Sequence, residues 1–139
     1  MFSTVPIQAT GDLGGSIAEM THSPYVALPP QAPLDVVART MADLGIHAVL
    51  IRDQTDGLLG WVTARGMLHN KARDWTQSQA SDAVTEPIAT IPPTATVEDA
   101  VEAFVASGAS HIVVCEPESE WPVGVIADSD LIRWIARRP

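Results

Sequence analysis

Residues Pro24–Arg52 read PYVALPPQAPLDVVARTMADLGIHAVLIR, and residues Pro87–Cys115 read PIATIPPTATVEDAVEAFVASGASHIVVC; they align without a gap at an offset of 63 positions. After one extra residue the match resumes, with GWVTARGML from Gly60 against GVIADSDLI from Gly124. The chain is an internal duplication. The shared pairs Pro24/Pro87, Pro29/Pro92, Pro30/Pro93, Ala32/Ala95, Gly45/Gly108 and Gly60/Gly124 fall at turns and element ends, so both copies are expected to adopt one architecture. Two such halves packed face to face, with pseudo-two-fold symmetry, would form two similar clefts.

Within each copy the pattern is the same. A short β run follows the leading proline (Tyr25–Leu28, Ile88–Ile91) and is broken by the double proline. Leu34, Val37, Ala38, Met41 and Leu44 then recur at helical spacing, as do Val97, Ala100, Val101 and Phe104. Thr96 suits the N-cap of the second of these helices, and Gly45 and Gly108 suit left-handed stops. An apolar β run (Ala48–Ile51, His111–Cys115), a polar turn, a β run near Gly60 or Gly124, and a closing helix (Ala64–Ala72, Asp128–Ala136) complete the order β-α-β-β-α, twice. A helical crossover makes the first two strands parallel, and a short turn makes the third antiparallel to the second. The reading is an α/β (α+β) fold with an N-terminal arm over 1–16, repeat 1 over 17–72, a linker over 73–80 and repeat 2 over 81–139. Ile17–Met20 is expected to form one helical turn ahead of repeat 1.

Composition narrows the function classes. The formal net charge is −9, with −2 from residues 1–79 and −7 from residues 80–139. Such a surface repels phosphodiester backbones and anionic lipid, which argues against nucleic-acid and membrane partners. The single cysteine excludes an intrachain disulfide and a cysteine-rich zinc site. No stretch approaches the roughly 18 apolar residues of a membrane span, and Met1–Gly15 lacks the basic start and apolar core of a signal peptide. A cytoplasmic protein is expected.

The duplicated order and the phrases LGIHAVLIRD with GWVT, and SGASHIVVCE with GVIADSDLI, resemble the cystathionine-β-synthase (CBS) domain, whose tandem pairs form Bateman modules. The resemblance implies a regulatory module, without catalysis, that binds AMP, ADP, ATP or S-adenosylmethionine in clefts between its repeats, requires no cofactor, and is commonly a homodimer. With the two repeats assigned, no effector segment is read in the chain, so output is expected to pass to a protein partner regulated in trans or through the dimer. The rival reading is a degenerate pair that dimerises and docks on a partner without a small ligand.

The family's phosphate-and-ribose motif joins the third strand to the closing helix. A hydroxyl and the free N–H groups of a helix start suit phosphate oxygens, and a carboxylate one turn on accepts ribose hydroxyls. Each repeat here keeps half. Repeat 1 retains the hydroxyl at Thr63 but has Gly66 at the carboxylate position; repeat 2 retains the carboxylate at Asp130 but has Ala127 in place of the hydroxyl. By the same resemblance, Arg65 and His47 join Thr63 as an anion corner, while Asp128 and His111 accompany Asp130. Tyr25 and Val26, or Ile88 and Ala89, are candidate adenine walls. The acidic second half further implies that its cleft favours AMP or S-adenosylmethionine over ATP without Mg²⁺.

Other chemistry is set aside on spacing. Cys115 and His111 are four residues apart on one strand, about 13 Å, which rules out a nucleophile–base dyad. Asp128, Asp130, Glu116 and Glu118 match no metal loop. Thr63 and Asp130 also serve as an ordinary N-cap and a first-turn acid, with Asp128 as the N-cap of the closing helix. Trp61 and Trp121 read as packing residues, and Trp75 and Trp134 as core or dimer-face residues.

Overall fold

Gly45 and Gly108 both adopt left-handed backbone, with φ of 64° and 70°, and each ends an eleven-residue helix where the periodicity places the stop. In the computed structural model, which describes residues 14–23, 25–55, 57–119 and 121–137, these helices are α1 (Leu34–Leu44) and α3 (Val97–Ser107). Residues 1–13 of the arm expected over 1–16, and Pro24, lie outside the described residues. The strands are β1 (Ala27–Leu28), β2 (Ala48–Asp53), β3 (Gly57–Thr63), β4 (Thr90–Ile91), β5 (His111–Cys115) and β6 (Pro122–Ala127). The closing helices are α2 (Ala64–His69) and α4 (Asp128–Arg137). Two 3-10 turns, Ile17–Glu19 and Ala80–Ala83, precede the repeats.

The sheets are copies of one another. Strand β1 pairs parallel to β2, which pairs antiparallel to β3; β4, β5 and β6 repeat the scheme. Even the irregularity recurs, with a register shift at Ile51/Arg52 in one sheet and at Val114/Cys115 in the other. The helices form for the reasons their sequences suggest. Thr96 accepts from Asp99 N–H while the Asp99 carboxylate accepts from Thr96 N–H, a reciprocal cap typically worth about 1 kcal/mol. Leu34, Val37 and Met41 are buried on α1, and Val97, Ala100 and Phe104 on α3. Leu44 departs from the expected apolar face and is exposed, because it is the last residue before Gly45 turns the chain toward β2. Trp61 is buried as expected, whereas Trp121 is exposed: it precedes β6 in the turn, where its N–H donates to Ser119 Oγ.

The described residues pack as two units, and each sequence repeat lends its opening segment to the other repeat's unit. One unit combines 14–23 with 89–137; the second spans 25–88. In the first, Ile17 N–H donates to Ala95 O and Val97 N–H to Gly15 O. Ile17 and Met20 are buried there with Ile91, Val97, Ile112, Ile126 and Leu131. In the second, Ala80 N–H donates to Ala32 O and Leu34 N–H to Ser78 O, and Ala80 and Ala83 join Leu34, Val37, Ile51 and Val62. The turn expected over Ile17–Met20 thus forms over Ile17–Glu19 but packs on repeat 2. The hydrogen bonds decide this: His22 exchanges two backbone bonds with Val125, at 2.9 and 3.1 Å, and Trp61 is bridged in the same way to Thr85 and Glu86.

Such close backbone approach needs Gly124. A Cβ built there would lie 2.3 Å from Thr21 Cγ2 and 2.7 Å from His22 O. Gly124→Ala is therefore expected to destabilise the protein by about 1 to 3 kcal/mol through overpacking. Denaturant unfolding measures it, and an unchanged midpoint would show that this seam is not tight.

Candidate functional site

Strand β6 runs directly into α4, so the first turn of that helix carries Asp128 and Asp130 at the edge of the sheet. The turn is anchored from β5, because Asp128 N–H donates to Ser110 O at 2.9 Å. Asp128 lies inside the helix and is exposed, so it is a first-turn acid and not the N-cap expected of it. Asp130 is the buried member of the pair, with 7% of its surface exposed.

Three donors meet the Asp130 carboxylate. Ala127 N–H donates to Oδ2 at 2.8 Å, Arg133 Nη1 donates to Oδ1 at 3.1 Å, and His22 Nε2 lies 2.9 Å from Oδ1. A carboxylate only accepts, so the imidazole nitrogen is the donor. Burial pushes the Asp130 carboxyl up, but the His22 hydrogen bond, the Ala127 N–H, the charge of His22 and the Arg133 bond together hold it below its ordinary value. Beside it opens a cavity of about 480 Å³ lined by Glu19, Met20, His22, Asp130, Arg133, Trp134 and Arg137. Trp134 packs on the core of this unit, and a Cβ at Gly15 would meet its ring at 2.7 Å. The lining is mixed in sign: two arginines and a histidine accompany the acids, which the net charge of the second half does not suggest. Such a lining can hold an uncharged polar group at the carboxylate, an anion at the arginines and a flat ring at the indole.

The other candidate residues of repeat 2 do not line this cavity. His111 opens β5 half-buried, its Nδ1 at 2.9 Å from Ser110 Oγ. Ala89 O accepts from Val113 N–H and its side chain packs on the core. Ile88 falls in the unit of repeat 1, half-buried.

The corresponding corner of that unit is built differently. Thr63 is buried, and its hydroxyl caps α2 by accepting from Gly66 N–H at 3.0 Å. Ala64 N–H donates to His47 O, so His47 enters the corner through its backbone while its side chain is exposed, as is that of Arg65. Val26 O accepts from Leu50 N–H, and Tyr25 and Val26 are half-buried. The space of the missing carboxylate is filled: a Cβ at Gly66 would lie 2.9 Å from Thr85 Oγ1 and 3.1 Å from Thr85 Cγ2. Thr85, 63 positions after His22, sets its side chain against residue 66 as His22 sets its own against Asp130, although in backbone pairing Glu86 bridges Trp61 as His22 bridges Val125. His22 with Asp130, and Thr85 with Gly66, are thus matched replacements.

His22, Arg133, Arg137 and Glu19 are cavity residues that sequence reasoning missed. Arg133 sits one helical turn beyond Asp130 and was legible by spacing. His22 lies 108 residues from Asp130, and its signal is the coincidence that the repeats differ at both paired positions. Cys115 is buried, and its thiol is pushed up by burial and by the charge of Glu116, which leaves it a poor nucleophile. Among the described residues no group of three or more His, Cys, Asp or Glu is placed to hold a metal, and no helix is long and apolar enough to cross a membrane.

Because the folded carboxyl of Asp130 is depressed, its stabilising contribution is present above the unfolded value of about 4 and is lost as pH falls through the folded one. The stability advantage of the native chain over Asp130→Asn is therefore expected to shrink as pH drops below about 4. Denaturant midpoints across that range measure it, and an advantage independent of pH would mean that the carboxylate is not held by these donors.

No curated protein sequence matches the chain. Its fold matches an uncharacterized conserved protein from Pyrococcus horikoshii, with a TM-score of 0.75 at 14% identity over 92% of this chain and 96% of that one. A conserved CBS-domain protein from Thermoplasma acidophilum gives 0.75 at 14% identity, over 88% and 70% of the two chains. CBSX2, solved in complex with AMP, gives 0.71 at 14% identity, over 89% and 98%. At such identities the likeness is one of fold. The family model described as CBS domain matches residues 15–72 and again 80–137, the two copies read from the duplication. With both copies matched and the element order of each in place, the chain belongs to the CBS-domain family, as a tandem pair.

Proposed function

We propose that the chain is a non-catalytic regulatory module that senses an adenosine-containing ligand at Asp130. The observation that carries the reading is a buried, ionised carboxylate at the first turn of α4, opening on a cavity of about 480 Å³ with an indole in its wall. That volume lies in the usual range of small-molecule sites. Ribose hydroxyls are donors that a carboxylate satisfies, adenine is a flat ring for Trp134, and Arg133 and Arg137 suit a phosphate. The AMP complex of CBSX2 supports the ligand class. AMP, ADP, ATP and S-adenosylmethionine all carry the adenosyl group. The arginines suit the phosphorylated members, AMP among them, over S-adenosylmethionine. The repeat 1 corner, with Gly66 under Thr85, is assigned no ribose.

A second reading is favoured by the three protein donors on Asp130, which also make a structural device of the kind a docking module without a ligand would have. Thermal shift against adenosine, AMP, ADP, ATP and S-adenosylmethionine separates the two. A ligand at 100 times its Kd is expected to add about 2.7 kcal/mol of stability. Asp130→Ala should then weaken binding roughly ten- to hundredfold, since hydrogen bonds to a charged group are typically worth about 1.5 to 3 kcal/mol. No shift with any of the five, or a mutant that loses stability but keeps its Kd, would favour the docking module.

The proposed assembly is a homodimer through the closing helices, with output passed to a protein partner in trans. Leu68 on α2 and Ile132 on α4, at matching positions of the two repeats, are 68% and 67% exposed, more than apolar side chains ordinarily are. Trp75, read as a core or dimer-face residue, donates from Nε1 to Asn70 O and packs on the core of its unit. Light scattering at tens of micromolar is expected to show a dimer that Leu68→Glu with Ile132→Glu converts to monomer. A monomeric parent, or a double variant that stays dimeric, would remove these helices from the interface.

A further inference from the structure

We propose that His22 is a latch on Asp130, holding the carboxylate in the ligand-free protein and yielding it to a ligand diol, so that acid closes the site. This inference rests on the adenosine reading above. A carboxylate offers about four acceptor positions, two on each oxygen. Oδ1 already takes His22 and Arg133, and Oδ2 takes Ala127 N–H. One position is left, too few for two ribose hydroxyls. Ala127 N–H is a backbone donor at the helix start and cannot withdraw, and Arg133, although its side chain is 51% exposed, carries a charge it cannot lose and stays drawn to the carboxylate. His22 can leave. Its side chain is 63% exposed against 7% for Asp130, while its backbone stays bonded to Val125 in either state. Rotation of one exposed imidazole therefore frees a position on Oδ1 without unpacking the unit.

The repeat comparison points the same way. At the matching place Thr85 stands over Gly66, too close for any side chain to grow without displacing it. The residue of the leading segment thus decides access in both units, closing one and latching the other.

The direction of the pH effect follows from charge. Imidazole ordinarily gains its proton between about pH 8 and about pH 5, and a protonated ring bonds a carboxylate more strongly than a neutral one. The charged groups that line the cavity with it are Asp130, which it touches, Arg133 and Arg137 of α4 and Glu19 of the leading segment; from β6, Val125 pairs with its backbone and Ala127 N–H shares the carboxylate. The arginines keep their protons throughout. Ligand affinity should therefore rise as pH rises, until the ring is neutral.

Adenosine is the probe, because it has no phosphate to titrate in this range. Calorimetry of the full chain is expected to show its Kd falling on the order of tenfold between about pH 5 and about pH 8. His22→Ala should bind at both pH values at least as tightly as the parent does at the higher one. His22→Gln, a donor that does not titrate, should bind without pH dependence. Equal Kd values and equal pH profiles for parent and His22→Ala would overturn the latch and leave the adenosine site standing. Failure of all three proteins to bind adenosine at either pH would overturn the site and the latch together. A readout without ligand guards against misassignment: the ¹⁵N signals of the His22 ring should differ between the parent and Asp130→Asn, and identical signals would overturn the latch whatever the affinities show.

Discussion

The backbone pairing of each leading segment with the far repeat is the constraint on which the rest depends. His22 and Val125 exchange two hydrogen bonds, and the matching pair in the other unit joins Trp61 to Thr85 and Glu86. Amide groups buried without partners cost about as much as a lost hydrogen bond, so once the 3-10 turns bury Ile17 and Ala80 their flanking backbone must pair. Pairing at that distance leaves no room for a side chain at Gly124. It also fixes where the side chain after each turn projects: His22 arrives at Asp130, and Thr85 arrives at Gly66.

One consequence is energetic. Neither sequence repeat closes a core from its own residues, because Ile17 and Met20 belong to the core built on β4, β5 and β6, while Ala80 and Ala83 belong to that built on β1, β2 and β3. The stability of each unit therefore depends on contacts between residues far apart in the chain. The other consequence is chemical. A duplication of sequence would by itself produce two equal sites, yet the two corners differ in kind, one an ionised carboxylate with three donors and the other a capped helix start sealed by a threonine. Two of the differing positions are coordinated, because a carboxylate at residue 66 would require Thr85 to move.

Much of this was legible along the chain. The offset of the duplication determined the element order, the parallel and antiparallel pairing, the helix stops at Gly45 and Gly108 and the cap at Thr96, since each of these is a local choice of backbone conformation written in proline, glycine, threonine and hydrophobic period. Family membership followed from the same order. Asp130 could be singled out because it stands at a defined place in a local motif. Leu44 was misjudged, for periodicity assigns a face to a residue but not the point at which the packed layer ends, and Trp121 was misjudged because residue type alone does not place a turn residue in the core.

What the tertiary structure alone decided is which segment completes which unit, and hence who surrounds the carboxylate. Local propensity forms the turn at Ile17–Glu19 but carries no information on the sheet it will cover, because the choice between two nearly identical sheets is made by long-range burial and hydrogen bonding. His22 therefore reads as a surface histidine in sequence and as a carboxylate partner in space. The protonation of Asp130 is likewise a property of three-dimensional company: composition puts it in the acidic half of the chain, whereas Ala127, Arg133 and His22 surround it with donors.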